Sequence, residues 1–102
     1  MIEIAGFQFE GPFTSTAWLK RQQGVYVILD KRSDGKWYVV DVGEAGDVKE
    51  RIENHDRKPC WERHRVGELG VAVLYTVGWS AEQRRTLEGR IRDAFSPACG
   101  VR

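Results

Sequence analysis

The sequence predicts an α/β fold: a small three-stranded sheet with flanking helices, filling residues 1–102 as a single domain. Three observations predict it. Two runs rich in β-branched and aromatic residues, Val25-Tyr26-Val27-Ile28-Leu29 and Trp37-Tyr38-Val39-Val40-Asp41-Val42, flank a Ser33-Asp34-Gly35 turn, which makes a hairpin. Two capping-box patterns, Asp47 with Glu50 and Ser80 with Gln83, each open a helix. Between those helices, Val71-Ala72-Val73-Leu74-Tyr75-Thr76-Val77 is a nearly continuous apolar run, the pattern of a strand buried on both faces.

Residues 1–13 hold two short apolar alternations, Ile2-Ile4 and Phe7-Phe9, broken at Gly6 and ended by Gly11-Pro12. They read as a folded arm or edge strand. Residues 14–23 hold no more than a brief helical turn. The hairpin begins at Gly24, and Gly43-Glu44-Ala45-Gly46 ends its second strand. The first helix runs from Val48 to about His55, with Pro59 limiting its extension. Residues 59–65 form a further short helical turn. The last helix ends near Phe95, because Pro97 disfavours helical geometry at Ser96. Leu87, Ile91, Ala94 and Phe95 fall at i, i+4, i+7 and i+8, the stripe that packs on a sheet.

Hydrophobic residues make up 41% of the chain and charged residues 30%, an ordinary globular mixture. No apolar run approaches the roughly 18 to 20 residues of a membrane helix. The start has no basic region followed by an apolar one, so no signal peptide is expected. Cys60 and Cys99 fit no disulfide framework, and the expected compartment is the cytoplasm. His55, Cys60, His64 and Cys99 are ligand types for zinc, but their spacing matches no paired zinc motif. Net charge is only +1, less lopsided than a dedicated nucleic-acid binder. Local basic clusters remain, and Arg57, Lys58, Arg63, Arg65 and Arg84 are the residues expected to meet a nucleic acid. For any one of them a solvated charged face is the simpler reading.

Four positions carry chemistry once the elements are placed. Arg51 and His55 stand four apart on the first helix, on one face. Glu88 lies beside Leu87 at the edge of the apolar stripe of the last helix. Tyr26 points opposite to Val25 and Val27. Singly, each has an ordinary explanation: a surface arginine, a capping histidine, a salt-bridged glutamate, a core tyrosine. Together they are a cation, an imidazole, a carboxylate and a phenol, the groups that phosphodiester hydrolysis uses.

In order along the chain, Gly24-Val25-Tyr26, Asp41-Val42-Gly43, Arg51-Ile52-Glu53-Asn54-His55, and Leu87-Glu88 followed by Pro97 resemble the GIY-YIG nuclease family. The first triplet matches with Val for Ile, Gly43 stands before Arg51 at the family's interval, and the arginine-to-histidine segment matches fully. The resemblance spans residues 24–100 and implies a metal-dependent endonuclease acting on DNA. It implies that Tyr26 takes a proton from the attacking water, that Arg51 stabilises charge on the phosphate, and that His55 assists the tyrosine. It further implies that Glu88 holds one Mg²⁺ or Mn²⁺ ion, a hard cation suited to oxygen ligands. Specificity would then come from a homodimer or a separate subunit.

The chain departs from that pattern at three places. Asp41 replaces the second tyrosine, Gly100 replaces a late asparagine, and Glu44 stands where the family often has a basic residue. An unperturbed tyrosine titrates near pH 10, so forming phenolate at pH 7 costs about 4 kcal/mol, and a neighbouring carboxylate raises that cost. Alternation along the strand puts Asp41 on the face of Trp37 and Val39, where it must be exposed, paired with a cation such as Arg51, or bound to metal. Either Asp41 joins the chemistry as a base or metal ligand, or the site has decayed. In the second case the domain binds nucleic acid or a protein without cleaving anything.

Overall fold

The computed structural model describes residues 1–100. The two early alternations become strands β1 (Ile2–Ile4) and β2 (Phe7–Phe13), turned back at Ala5-Gly6, both at positive φ. A 3-10 turn (Thr16–Trp18) leads to β3 (Gly24–Lys31) and β4 (Trp37–Ala45). Two short helices, α1 (Val48–Glu53) and α2 (Lys58–His64), precede β5 (Glu68–Tyr75) and the long α3 (Ala81–Phe95). The strands form one sheet in the order β1-β2-β5-β3-β4, with each adjacent pair antiparallel.

The α/β class holds, but the sheet has five strands among the described residues rather than three. The N-terminal arm folds on itself and lays β2 along β5, pairing Glu10 with Val73 and Phe13 with Val71. The reason is the edge of β5: unpaired, its N–H and C=O groups would lie open beside an apolar face. Phe9 and Ile4 then enter the core with α3.

Several boundaries also move. β4 runs through Gly43 and Glu44 to Ala45, three residues further than the turn-like composition suggests. α1 stops at Glu53, because Asn54 caps it, its side-chain amide donating back to the Glu50 carbonyl. His55 therefore sits just beyond the helix. Pro59 opens α2 instead of breaking a helix, a position where its missing N–H is harmless. β5 ends at Tyr75, and Gly78 at φ 88° turns the chain toward α3. The capping box of Ser80 and Gln83 is present as expected.

The sheet has two covered faces. Val25, Val27, Leu29 and Val42 pack with Leu87 and Ile91 of α3 on one. Tyr26, Ile28, Val40 and Val73 pack with Val48 and Ile52 of α1 and Trp61 of α2 on the other. Asp41 belongs to the second face, not to that of Trp37 and Val39. In the β3–β4 pairing Leu29 faces Val39 while Ile28 faces Asp41, so Val40 is an extra residue in β4. That bulge reverses the alternation and brings Asp41 round to the side of Tyr26.

A second buried carboxylate, Asp30, holds the connection between α2 and β5. Its oxygens accept the Val66 and Gly67 N–H groups, each at 2.8 Å, and Arg32 Nε at 3.2 Å. Burial pushes its pKa up, yet these bonds outweigh burial and leave it below the ordinary value. Asp30→Ala strands two amides, and its expected loss is roughly 2–4 kcal/mol in urea unfolding. A loss within experimental error of zero would show that water replaces the carboxylate there.

Candidate active site

Tyr26 rises from the centre of β3 and is 1% exposed. Its cross-strand partner is Gly43, and a Cβ at that position would collide with the Tyr26 hydroxyl and Cζ. Gly43 is therefore what lets the phenol lie flat across β4. Gly24 is constrained differently, since a Cβ there would come 2.6 Å from the Leu74 carbonyl oxygen. Two motif glycines thus have steric reasons in this fold.

The Tyr26 hydroxyl meets His55 Nε2 at 2.8 Å. The backbone N–H of Arg57 donates to His55 Nδ1 at 3.0 Å. A neutral imidazole has one N–H, so Nδ1 is the bare nitrogen and Nε2–H donates to the phenol oxygen. His55 is thus a hydrogen-bond donor to Tyr26. Burial, then the charges of Arg51 and Arg57, push its pKa down to about 4, which keeps it neutral at pH 7. Burial pushes Tyr26 up to about 12, while Arg51 and Arg57 pull it down and Asp41 adds to the rise. Arg51 lies at the rim, half exposed, with its Nη2 on Asp56 Oδ1 at 3.0 Å.

Asp41 is completely buried beside this group. Its Oδ1 accepts the Val42 N–H at 2.8 Å, Arg92 Nη2 at 2.9 Å and Arg57 Nη2 at 3.3 Å. Its Oδ2 accepts Arg57 Nε and Trp61 Nε1, both at 2.7 Å. The expected cation partner, Arg51, is not among them; Arg57 and Arg92 take that place because the bulge aims Asp41 at α2. With five hydrogen bonds the carboxylate has no lone pair free to receive a proton or a cation in this arrangement. The sequence-level role of Asp41 as base or metal ligand has no support in these contacts.

Glu88 lies elsewhere. Helix α3 covers the face opposite Tyr26, and Glu88 sits on its flank between Arg84 and Arg92. Both arginines reach β4. Arg84 pairs with Glu44 at 2.8 Å and donates to Gln23, while Arg92 crosses the strand edge to Asp41, the Val42 carbonyl and the Cys99 carbonyl. Glu88 Oε2 bonds Arg92 Nε at 3.3 Å, and the side chain is 24% exposed. Glu88 thus lies across the sheet from Tyr26, and the bonds between them run through Arg92, Asp41, Arg57 and His55.

The residues expected on a nucleic-acid surface divide. Arg84 is buried in its pair with Glu44, and Arg57 spends its guanidinium on Asp41, so neither is a free surface cation. Lys58 donates to the Glu53 carbonyl, and Arg65 to the Gly67 carbonyl, from exposed positions. Arg63 is exposed on α2. Gly100, at φ 83°, packs so closely on the Arg92 guanidinium that a Cβ would come 2.6 Å from Nη1, which leaves an asparagine no room. As partners of Asp41, Arg92, which shares its charge with Arg57, and Trp61, which donates a neutral hydrogen bond, escaped sequence reasoning. The one available signal was Glu88 four residues before Arg92, an i,i+4 pair.

The Cys60–Cys99 pair overturns another expectation: the two are joined in a disulfide, with Cα atoms 6.0 Å apart. Their sequence separation of 39 resembles no small-protein framework, but α2 and the segment after α3 converge. The argument for a cytoplasmic location loses its footing with it. Among the described residues, no helix is long and apolar enough to cross a membrane. No known family model, characterised protein or solved structure matches the chain.

Two outcomes are expected. Asp41→Ala removes the carboxylate that Arg57 and Arg92 share, leaving Arg92 only Glu88, and the loss of stability should reach about 3–5 kcal/mol by urea unfolding. Asp41→Tyr should be as destabilised, since a phenol neutralises neither guanidinium; wild-type stability for it would refute the pairing. The second concerns pH. The His55 pKa is depressed in the folded state, to about 4 from 6.5, so the unfolded chain takes up its proton first as pH falls. Stability from this group is complete above pH 6.5 and drains away toward pH 4, by up to about 3 kcal/mol. His55→Gln should remove that part of the slope when unfolding free energies are compared between pH 7 and 4.

Proposed function

We propose that this chain is a GIY-YIG-like domain that hydrolyses nucleic-acid phosphodiesters, DNA foremost, with the help of Mg²⁺ or Mn²⁺. The observation that carries this reading is the buried 2.8 Å hydrogen bond between Tyr26 and His55, with Arg51 and Arg57 pulling the phenol's pKa down from beside it. A phenol so placed has one use that a core tyrosine lacks. The His55 N–H and two guanidiniums favour its anion, and that anion is a base for water. The cost is real: from about 12, deprotonation at pH 7 takes roughly 7 kcal/mol. Arg51, at the rim, is free to exchange Asp56 for a phosphate oxygen and stabilise charge as it builds there.

Among the described residues Glu88 is bonded through Oε2 to Arg92, and it is partly open to water, which suits a Mg²⁺ held by one carboxylate, water and phosphate oxygens. A cation held there lies on the helix that covers the opposite face of the sheet from Tyr26, which counts against its serving the same phosphate and favours the second reading below. The Arg92 guanidinium, already paired with that carboxylate, also opposes such a cation.

A second reading has its own observation. Asp41, standing where the resemblance asks for another phenol, is wholly occupied by structural bonds. A site lacking that phenol fits a relative that binds nucleic acid or a protein and does not cleave.

Supercoiled plasmid, incubated with Mg²⁺, with Mn²⁺ and with chelator, separates the two. Wild type should nick only with metal, and Tyr26→Phe and Glu88→Ala should be inert while still folded. Arg51→Ala should be slower by about 10²–10³-fold, as expected for loss of one charge-stabilising donor. Nicking by Tyr26→Phe, or in chelator, sinks the first reading. An inert wild type that retards the plasmid in a gel supports the second.

A further inference from the structure

Cys60, His64 and Cys99 form a cluster that the proposed cleavage does not use. Cys60 and His64 stand four apart on α2, so their side chains share one face. Cys99 arrives from the segment after α3. Its N–H bonds the Val40 carbonyl at 3.0 Å, and its carbonyl accepts Arg92 Nη1 at 3.0 Å, which fixes its backbone. The two sulfurs and a ring nitrogen of His64 lie within 4.8 Å of one another. A disulfide has no need of an imidazole at that distance. A tetrahedral zinc ion does: Zn–S of about 2.3 Å and Zn–N of about 2.0–2.1 Å put ligand atoms roughly 3.5–3.8 Å apart. The exposed His64 closes the remaining gap by rotating about its own side chain, while buried Cys99 stays in place.

We propose that the reduced protein binds one Zn²⁺ through Cys60, His64 and Cys99, so that the disulfide and the metal are alternative ties between α2 and the C-terminal segment. A dithiol gives two electrons and two protons to the Cys60–Cys99 bond, becomes a disulfide itself, and leaves two thiols. Zn²⁺ then displaces both thiol protons, forming two Zn–S bonds and one bond to the neutral imidazole, with water as fourth ligand. Two sulfurs and a nitrogen select zinc and reject Mg²⁺, so this site is chemically distinct from Glu88. His55 has no part in it, since both its ring nitrogens are engaged.

The test uses the whole chain, reduced with dithiothreitol, desalted without oxygen and titrated with Co²⁺ and then Zn²⁺. Reduced wild type should show a thiolate-to-cobalt band saturating at one equivalent, displaced by one equivalent of Zn²⁺, and the oxidised protein should show none. His64→Ala changes an exposed side chain and keeps both thiols; its Zn²⁺ affinity should fall by at least about tenfold, the least that loss of a direct ligand entails. Circular dichroism with and without Zn²⁺ covers the case in which reduction loosens the fold, where zinc should restore the spectrum and raise Tm. Absence of the cobalt band in reduced wild type, equal zinc affinity in His64→Ala, or metal uptake indifferent to reduction overturns the proposal.

Discussion

The structure depends on one buried charge. Asp41 has no contact with water, and a lone carboxylate there would be untenable, so everything that neutralises it is fixed in place. Arg57 comes from the start of α2, Trp61 from its middle, and Arg92 from α3 on the far side of the sheet. The two arginines then act a second time. Arg92 also takes up the Val42 and Cys99 carbonyls, which closes the open edge of β4 and anchors the C-terminal segment. Arg57 gives its backbone N–H to His55, which sets the tautomer that faces Tyr26. The same carboxylate thus holds helices to both faces and indirectly orients the imidazole. Buried ion pairs are often no more stabilising than apolar residues of similar size. What this one does is tie Arg57 and Trp61 of the α2 region and Arg92 of α3 to one point on β4.

Much of the fold was legible because it is written in local signals. The hairpin of β3 and β4, the caps of Asp47 and Ser80, and the Leu87 and Ile91 part of the α3 stripe all depend on residues a few positions apart, whereas Ala94 and Phe95, expected in that stripe, lie exposed. The missing parts depend on distant partners. Nothing within residues 1–13 states that Phe13 will lie opposite Val71, so the arm could be read as an edge strand but not placed in the sheet. The bulge at Val40 has no local mark, as Trp37 to Val42 is an even β-type run; one extra residue reversed the face of Asp41. The disulfide is a tertiary event of the same kind.

The site divides along the same line. Tyr26 and His55 were readable as a pair through the motif resemblance, although His55 lies just beyond α1 and not on it. The partners of Asp41 lie 16, 20 and 51 residues away, and charge alone cannot choose among sixteen cations. Arg84 shows the converse error. As one of a pair of adjacent arginines it reads as surface charge, yet Glu44 and Gln23 draw it inside. In this chain several basic residues are held by carboxylates of the fold, and net charge does not reveal it.

The two opposed pKa shifts say which way a proton can travel at the candidate site. Arg51 and Arg57 act on both rings, and positive charge favours phenolate while it disfavours imidazolium. The neutral histidine, already donating through Nε2, therefore cannot be the destination of the Tyr26 proton. Arg51 stands at the rim of this group, half exposed. There Asp56 holds the guanidinium with one negative charge, and a phosphodiester that replaces it brings one negative charge as well. The exchange leaves the field at the phenol nearly unchanged. Binding of substrate alone thus does not activate Tyr26, and whatever lowers its pKa from about 12 must add positive charge on the side of the sheet where the phenol lies.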